Sequence, residues 1–460
     1  MVHPYQIPVV VGVGDIKNPS LTVEDAIEPL DLMVKAIEAA LKDTSLSVAN
    51  SRALQSAIDS ISVVANWTWP YPNTAELIAG RLECNATHLC ETLDEAARRI
   101  SLKQSSVAVV TGGEALASLA ALKANGKFPP SNWTPLQDTT SILKRPRPQG
   151  LGSRYGLGQP TQIYAMYEAG FRAHRGQKLV DNHLESSQLY AEFSEVAAMN
   201  PNAWRYGKPA DSAQVISTIN NRNRIICQPY PLLMNAFNTV LHELGIPEEH
   251  WIYPLGGAGI DDHEEFWKRP NFYSSRSLQQ SLDAALEVSH LTKEDIDLFD
   301  FYSCFPIVPK LASSHLGLPI TGGLKPITLL GELTYFGGAG NNYSLHAITE
   351  MVRRLRKGQG QHGLVLANGG ALSHHYTVTL SKRPRMDGLS YPKENPLPAY
   401  VGDENPPLIE SARGFGVMET YTVQYARDGS PQIAFIIGRL RDGAHRFIAN
   451  AANRHIERNL

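Results

Sequence analysis

The chain has 460 residues, of which 43% are hydrophobic and 19% charged, and a formal net charge of -3 at pH 7. That length suffices for about two or three domains around buried cores, and the composition excludes a generally disordered chain. The charge balance supplies no basic field strong enough for nucleic acid to be the main partner.

The opening run MVHPYQIPVVVGVGD has no basic segment followed by a long apolar stretch, so no signal peptide is expected. No apolar run reaches the roughly eighteen residues that a membrane span needs. IPVVVGVGD predicts a buried strand stopped by Gly12 and Gly14. Residues 22–43 predict an amphipathic helix with Leu30, Met33, Val34, Ile37 and Leu41 on one face. A strand at 58–65 leads into the turn-rich NWTWPYPN, followed by a helix at 93–102 and the strand SVAVVTGGEA. Such alternation predicts a layered α/β fold with a buried sheet.

Residues 124–206 break the pattern. They are rich in Pro, Gly, Asn and Arg, hold one helical stretch, IYAMYEAGFRAH, and are expected to form an inserted lid. Alternation resumes after Ile225, and a second strand–helix series covers 277–380. No short-period repeat is present, and two similar α/β halves remain open as an organisation. Residues 384–407 are proline-rich and predict a linker. GVMETYTVQY, PQIAFIIGRL and AHRFIANA then predict three strands, with the turn signals Asp428-Gly429 and Asp442-Gly443 between them. The expected domains are a first half at 1–123 and 207–275, an insertion at 124–206, a second half at 276–383, the linker, and a small β unit at 408–460.

Several segments together resemble the thiolase superfamily, and within it the thiolase-like protein type 1 group, which carries an additional C-terminal β domain. LDEAARRISLKQSSVAVVTGGEA resembles the nucleophile helix and the strand behind it. DIDLFDFYSCFPIVPKLA resembles the loop that reads NEAF in thiolases and HDCF in sterol-carrier-type thiolases. YFGGAGNNYSLHAI sits where thiolases carry GHPxGAS, and LVLANGGALSHHYTVTL where they carry the CxGGG loop. The resemblance implies a thiolase-like α/β core with a small OB-like β domain. It also implies an acyltransferase-type function on acyl-CoA, with the coenzyme A thioester as substrate or ligand and no other cofactor.

Thiolase chemistry needs a thiolate nucleophile, a second base and oxyanion holes. Counting back from Gly112-Gly113 places Thr87 at the nucleophile position, where the family's segment is longer. Cys90 is the one thiol near the expected helix start, and it reads either as a nucleophile or as a buried structural cysteine. Tyr302 stands where the family has Asn or His, able to donate to a thioester oxygen or simply to pack. Ser303 replaces the acidic residue, and Cys304 matches a position without a catalytic role. Gly338 replaces the catalytic histidine, which leaves His346, about two turns along the next helix, as the nearest imidazole. Asn341 and Asn342 offer amide donors. Ala367 replaces the base cysteine and Asn368 follows it. Of His374 and His375, at most one can face a pocket from a strand.

The glycines Gly337, Gly338, Gly369 and Gly370 keep the loops that approach a ligand, so the loop frame is present without the reactive groups. A further departure is the direct join of FNTV to LHELGIPEEHWIYPL, where the superfamily places another core strand. Arg145, Arg147, Arg154 and Arg172 of the insertion are candidate phosphate contacts. The fifteen histidines show no metal-ligand spacing, and GVGD is no dinucleotide fingerprint. The partner that the resemblance implies is an acyl-CoA small molecule, bound by a monomer or homodimer. The four cysteines, Cys84, Cys90, Cys227 and Cys304, include no CxxC pair and are too few for a disulfide framework. That implies a reducing compartment, cytoplasmic or, from the loose echo of an address in Arg458, Asn459 and Leu460, peroxisomal.

Overall fold

A computed structural model describes residues 6–86, 88–90, 92–137, 139, 150–218, 234–236, 246–385, 387–402, 405–426 and 429–450, with the backbone alone at 88–90 and 234–236. Thr87, Arg145, Arg147, Cys227, Asp428, the resumption after Ile225, the FNTV join and the last ten residues lie outside the described residues.

Helix α1 (Pro29–Asp43) buries Leu30, Met33, Ile37 and Leu41 as its periodicity requires. It starts later than the apolar pattern suggests. Proline suits the first helical position and disfavours helix in the residue before it. That residue, Glu28, is extended and buried, bonded to the Tyr71 hydroxyl and to Thr134. The valines before α1 are buried, but they make isolated bridges, at Val10 to Ile252 and at Val13, and no continuous strand. Side chains take the backbone groups instead. Val13 N donates to Asp43 Oδ2 at 2.9 Å, and Arg356 Nη2 donates to Val11 O at 2.8 Å.

The first half continues through α2 (Val48–Ser56), β1 (Ser60–Val63), α3 (Thr74–Leu82), β2 (His88–Cys90), α4 (Leu93–Ser101), β3 (Ala108–Gly112) and α5 (Leu116–Ala124). The insertion holds α6 (Pro160–His174) and α7 (Leu179–Met199). Only part of α6 is legible in the sequence. In α7, Asn182, Ser187 and Ser194 are buried among Leu189, Tyr190 and Phe193, and these polar positions mask the apolar period.

Next come β4 (Met234–Ala236), β5 (Tyr253–Asp261), α8 (Arg276–Val288), β6 (Leu298–Phe301), α9 (Ile307–Leu316), α10 (Leu333–Phe336), α11 (Tyr343–Arg356), β7 (His362–Gly369) and β8 (His374–Ser381). One sheet runs β2-β1-β3-β4 and the other β5-β8-β7-β6, each mixed parallel and antiparallel. Segment 207–275, grouped by sequence with the first half, thus gives β5 to the second sheet. YPLGGAGID does not read as a strand because it is glycine-rich. Its glycines are required by close approach: a Cβ on Gly256 would sit 2.8 Å from Val288 Cγ2, and one on Gly257 would sit 2.9 Å from Asp94 Cγ. Helices α4 and α11 lie between the sheets, where Leu93, Ala96, Ile100, Ile348, Met351 and Val352 share one core with Val110, Val365 and Val378.

The C-terminal segment forms the expected antiparallel sheet, β11-β10-β9, from β9 (Gly416–Tyr425), β10 (Pro431–Leu440) and β11 (Arg446–Asn450). It packs on α6.

The insertion is fastened by a buried lysine. Lys310 on α9 is fully buried, and its ammonium lies 2.5 Å from Glu168 Oε1 on α6 and 3.2 Å from Glu185 Oε2 on α7. It also donates to Asn182 Oδ1 at 3.0 Å and Ser186 Oγ at 2.8 Å. Removing one partner of such a group leaves uncompensated buried charge. Lys310→Ala is expected to cost on the order of 3–5 kcal/mol in denaturant unfolding and to speed hydrogen exchange first across residues 160–199.

Candidate functional site

Two of the glycine loops come together beside the Tyr302–Phe305 loop. Beyond β6, Tyr302 N donates to Leu366 O on β7 at 3.0 Å, and the Tyr302 ring stands edge-on to Tyr343 at 5.3 Å. Ser303 is buried, and its carbonyl accepts from the Tyr190 hydroxyl of α7 at 3.2 Å. Cys304 is half-buried, hydrogen-bonded to the Tyr164 hydroxyl and 3.9 Å from Asn368 Nδ2. Phe305 stacks on Tyr164 of α6 at 4.3 Å. The insertion thus touches this loop through one tyrosine from each of its long helices.

Asn368 lies near the end of β7, its Nδ2 donating to the Tyr164 hydroxyl at 3.0 Å. Its Oδ1 is buried and has no partner among the described residues. The turn that follows contains Gly370 at φ +60 and is held from outside. Arg269 Nη1 donates to Ala371 O at 2.9 Å, and Asp262 N donates to Ser373 O at 2.7 Å. Arg269 is itself braced by the C-terminal sheet. Arg446 of β11, fully buried, donates to the carbonyls of Trp267, Arg269 and Pro270 and to Glu419.

The loop 337–342 carries Gly337 at φ +132, Gly338 at φ +67 and Gly340 at φ +57. It runs between Phe336 and Tyr343, rings 6.1 Å apart, so Tyr343 joins it to Tyr302. Asn341 and Asn342 turn toward the first half. Asn341 Nδ2 donates to Ala65 O at 2.9 Å, and Asn342 Oδ1 lies directly against Gly112. Asn341's amide is thus engaged in joining the halves and does not point to the Cys304 group.

Between Asp300 and this loop lies a residue absent from the sequence reading. Asp300, buried in β6, accepts from Leu329 N at 2.7 Å and from Leu330 N and Thr328 Oγ1, and burial pushes its carboxyl up to about 6. The loop it holds brings Gly331, at φ +83, so close to α7 that a Cβ would overlap the Phe193 carbonyl. Glu332 then takes φ +76 and ψ +152, a region that is essentially glycine's own. It is fully buried. Its Oε1 accepts from Thr334 Oγ1 at 2.8 Å and its Oε2 from Tyr335 N at 3.1 Å. Burial, with no cation beside it among the described residues, pushes this carboxyl up to about 8. Glu332 bears electrostatically on Tyr190, Tyr302 and Tyr343, whose hydroxyls burial holds well above the usual range. Tyr190 and Tyr302 also feel Cys304. The one signal in the sequence is a lone acid inside the apolar run LLGELTYF.

The histidines fall elsewhere. His346 is buried on α11, its Nδ1 2.7 Å from Asp15 Oδ1, its ring 5.0 Å from Phe336. Asp15 also pairs with Arg353 and accepts from Thr349. Burial alone would raise the Asp15 carboxyl, but these partners hold it below the usual carboxylate range. His346 thus anchors the N-terminal segment and contributes no imidazole to the Tyr302–Cys304 group. His374 is exposed and pairs with Asp261 at 2.9 Å. His375 points the other way, its Nδ1 2.8 Å from Ser277 Oγ, with burial pushing it down to about 3. Cys90 closes β2, paired with Ser62, and its side chain lies outside the described residues. The cap of α4 is Thr92, whose hydroxyl accepts from Glu95 N at 3.1 Å. Gly369 ends β7 beside His374.

The C-terminal residues 396–460 match the family model for the thiolase-like protein type 1 additional C-terminal domain. The fold of the whole chain superposes on the monomeric SCP2-thiolase like protein type 1 of Mycobacterium smegmatis with a TM-score of 0.74 at 26% identity, covering 96% of this chain and 92% of that one. The C-terminal segment thus carries the domain that marks the thiolase-like protein type 1 group, and the chain as a whole is similar in fold to a member of that group. More distant likenesses show the thiolase fold alone. They include the Ltp2-ChsH2(DUF35) aldolase, at TM-score 0.60 and 16% identity over 82% of this chain and 98% of that one. The acetyl-CoA acetyltransferase of Syntrophomonas wolfei gives 0.55 and 12% over 82% and 99%. No curated protein matches the chain by sequence. Among the described residues no helix is long and apolar enough to cross a membrane, and no group of His, Cys, Asp or Glu could hold a metal ion.

Glu332 gives the site a measurable signature in stability. Its folded carboxyl, at about 8, lies above its ordinary value of 4.5, so the folded state binds more protons between these limits. Its contribution is full below pH 4.5 and is lost as pH rises toward 8. Glu332→Gln keeps the shape and the acceptor for Tyr335 N without the ionisation. It is expected to be more stable than the parent by roughly 2–3 kcal/mol at pH 7.5, with the gap closing near pH 5 in denaturant titrations.

Proposed function

We propose that this thiolase-like protein binds an acyl-CoA or similar thioester between the Tyr302–Phe305 loop, the 337–342 loop and the 368–371 turn. Any reaction there would run without the standard thiolase residues. The observation that carries the reading is Asn368. Its buried Oδ1 has no partner among the described residues, at the end of a strand whose turn keeps the family's glycines, beside a half-buried Cys304. A buried acceptor left unpaired is costly, and a donor on a bound ligand would satisfy it. The insertion supports the reading as a cover, through Tyr164 and Tyr190, more than as a phosphate clamp. Arg154 pairs with Glu410 at 2.7 Å, and Arg172 Nη1 donates to Gln177 O at 3.0 Å.

A non-catalytic role as a thioester-binding or scaffold protein is favoured by one specific observation. The groups around Cys304 are tyrosine hydroxyls, an amide and a buried acid, with neither His346 nor His374 among them. A reactive thiolate needs an electropositive setting, which these groups do not provide.

Isothermal titration with acetyl-CoA is expected to give heat, and Asn368→Leu to weaken binding by about tenfold, the loss of one hydrogen bond. No heat and no thermal shift at saturating ligand would sink the reading. Thiolysis of acetoacetyl-CoA is expected to be absent or orders of magnitude below about 10 per second, since nucleophile, base and histidine act as a unit. Should any acyl adduct form, mass spectrometry distinguishes Cys90 from Cys304. An adduct lost in Cys90→Ala places the chemistry at the start of α4; one lost in Cys304→Ser places it under Tyr164.

A further inference from the structure

We propose that Thr334 and Glu332 form a hydrogen-bond-donating pair for the acyl oxygen of the bound thioester. The neutral Glu332 carboxyl keeps its proton and donates a hydrogen bond to Thr334 Oγ1, and the Thr334 hydroxyl turns its own O–H toward the ligand. The inference rests on the thioester reading above and adds to it the residue that would meet the carbonyl.

Three observations lead here. The first is backbone. Glu332 occupies a glycine-type conformation, wedged there because Gly331 lies against the α7 backbone and Asp300 holds the preceding amides. Such strain costs on the order of 1–3 kcal/mol and persists where the surroundings over-determine it. The second is electrostatic. A carboxyl that is fully buried beside Tyr190, Tyr302, Tyr335 and Tyr343 faces no cation among the described residues, and burial, pushing it up to about 8, favours the neutral acid at pH 7. Helix capping alone does not call for such a group, since Ser, Thr, Asp or Asn caps without it.

The third is exposure. Glu332 is sealed off, but Thr334, whose hydroxyl lies 2.8 Å from Glu332 Oε1, is half-buried. Its neighbours Leu333 and Tyr335 pack in one apolar cluster with Tyr302. A hydroxyl rotates to suit its partner. While Glu332 is ionised, the carboxylate accepts the Thr334 proton and the pocket has no donor at this point. Once Glu332 is protonated, the acid donates to Thr334 Oγ1 and frees the threonine proton for a ligand oxygen. The pair is therefore a donor at neutral pH and an acceptor above it. Other titratable groups face Glu332: Tyr190 from α7, Tyr302 from the loop after β6, Tyr343 from α11, and Tyr335 on its own helix, with Cys304 beyond Tyr190 and Tyr302 and with Asp211 and Arg205 beyond Tyr335. The tyrosines are all pushed upward by burial, and Cys304 is the further ionisable group that the experiment controls for.

Calorimetric affinity for acetyl-CoA, measured from pH 6.5 to 9.5, separates the possibilities. The wild-type protein is expected to lose about tenfold in affinity as pH passes 8, and Cys304→Ser, whatever its affinity at pH 6.5, to show the same relative loss. Glu332→Gln, whose amide still donates to Thr334, is expected to bind as tightly as wild type at pH 6.5 and to show no loss at high pH. Thr334→Val, isosteric and without a hydroxyl, is expected to bind about tenfold more weakly at pH 6.5 with a flat profile. A flat wild-type profile, a profile abolished by Cys304→Ser, or wild-type affinity in Thr334→Val overturns the pair and leaves the thioester reading intact. Failure of wild-type protein to bind acetyl-CoA at any pH overturns both.

Discussion

The docking of Lys310 is the constraint on which the site depends. A lysine taken fully out of water must be paired and hydrogen-bonded, or it shifts the balance against folding by several kcal/mol. Here the compensation comes from two different helices, Glu168 from α6 and Glu185 from α7, with Asn182 and Ser186 filling the remaining donor positions. Such a set is satisfied in one register only. Sliding either helix by a turn would strand a carboxylate as well as the ammonium. The fixed register delivers Tyr164 onto Phe305 and Cys304, and Tyr190 onto the Ser303 carbonyl. The long helices of the insertion are thus positioned by a polar cluster in the core, and the contacts of Tyr164 and Tyr190 follow from it.

The additional C-terminal sheet has a comparable role on the opposite side. Arg446 is buried in that sheet, and its fork is shared between Glu419 and the backbone carbonyls of Trp267, Arg269 and Pro270. Guanidinium suits this work because its donors are rigid and planar and its charge is not lost on burial. Arg269 in turn holds Ala371 O and lies 3.2 Å from the Tyr167 hydroxyl of α6, while Thr420 of β9 donates to Met166 O. Two buried guanidiniums in series therefore link the appended sheet, the insertion and the β7–β8 turn. The sheet's attachment to the rest of the chain is also the attachment of that turn.

Much of this architecture is legible in the sequence wherever one face of an element is wet. Helices α1 and α8 and the C-terminal hairpins show their periods plainly, and the strands around Val110 and Val365, buried on both faces, show as short apolar runs. Legibility fails where the buried positions are glycine or polar. In β5 glycines stand where side chains from both neighbours fill the space, and in α7 buried Asn and Ser interrupt the apolar stripe because they bond across to other elements. The site divides the same way. Its glycine loops and Tyr302 are visible as motif positions, since a tight loop leaves a local mark. Partners distant in sequence leave none. His346 is read as a site imidazole until Asp15, 331 positions away, is seen to hold it. Glu332 escapes notice because its chemistry comes from what surrounds it.

The carboxylates of the protein fall into two groups that respond to pH in opposite senses. Asp15 and Glu185, held below the usual range by His346, Arg353, Arg175 and Lys310 despite burial, contribute stability above pH 4–5 that is lost as pH falls. They belong to the scaffold. Asp300 and Glu332, pushed by burial to about 6 and about 8, contribute stability that declines as pH rises from their ordinary values of 3.8 and 4.5 toward those limits. They lie beside the loops of the candidate site. A fold selected for stability alone at neutral pH would have no reason to keep the second group, since an amide or an apolar residue of similar shape avoids the loss. The two are distant in sequence and meet through backbone: Asp300 on β6 holds the amides of Leu329 and Leu330, and Glu332, two residues on, occupies a glycine conformation. Unfavourable choices that converge in space in this way are the pattern expected at a functional site, where local stability is given up.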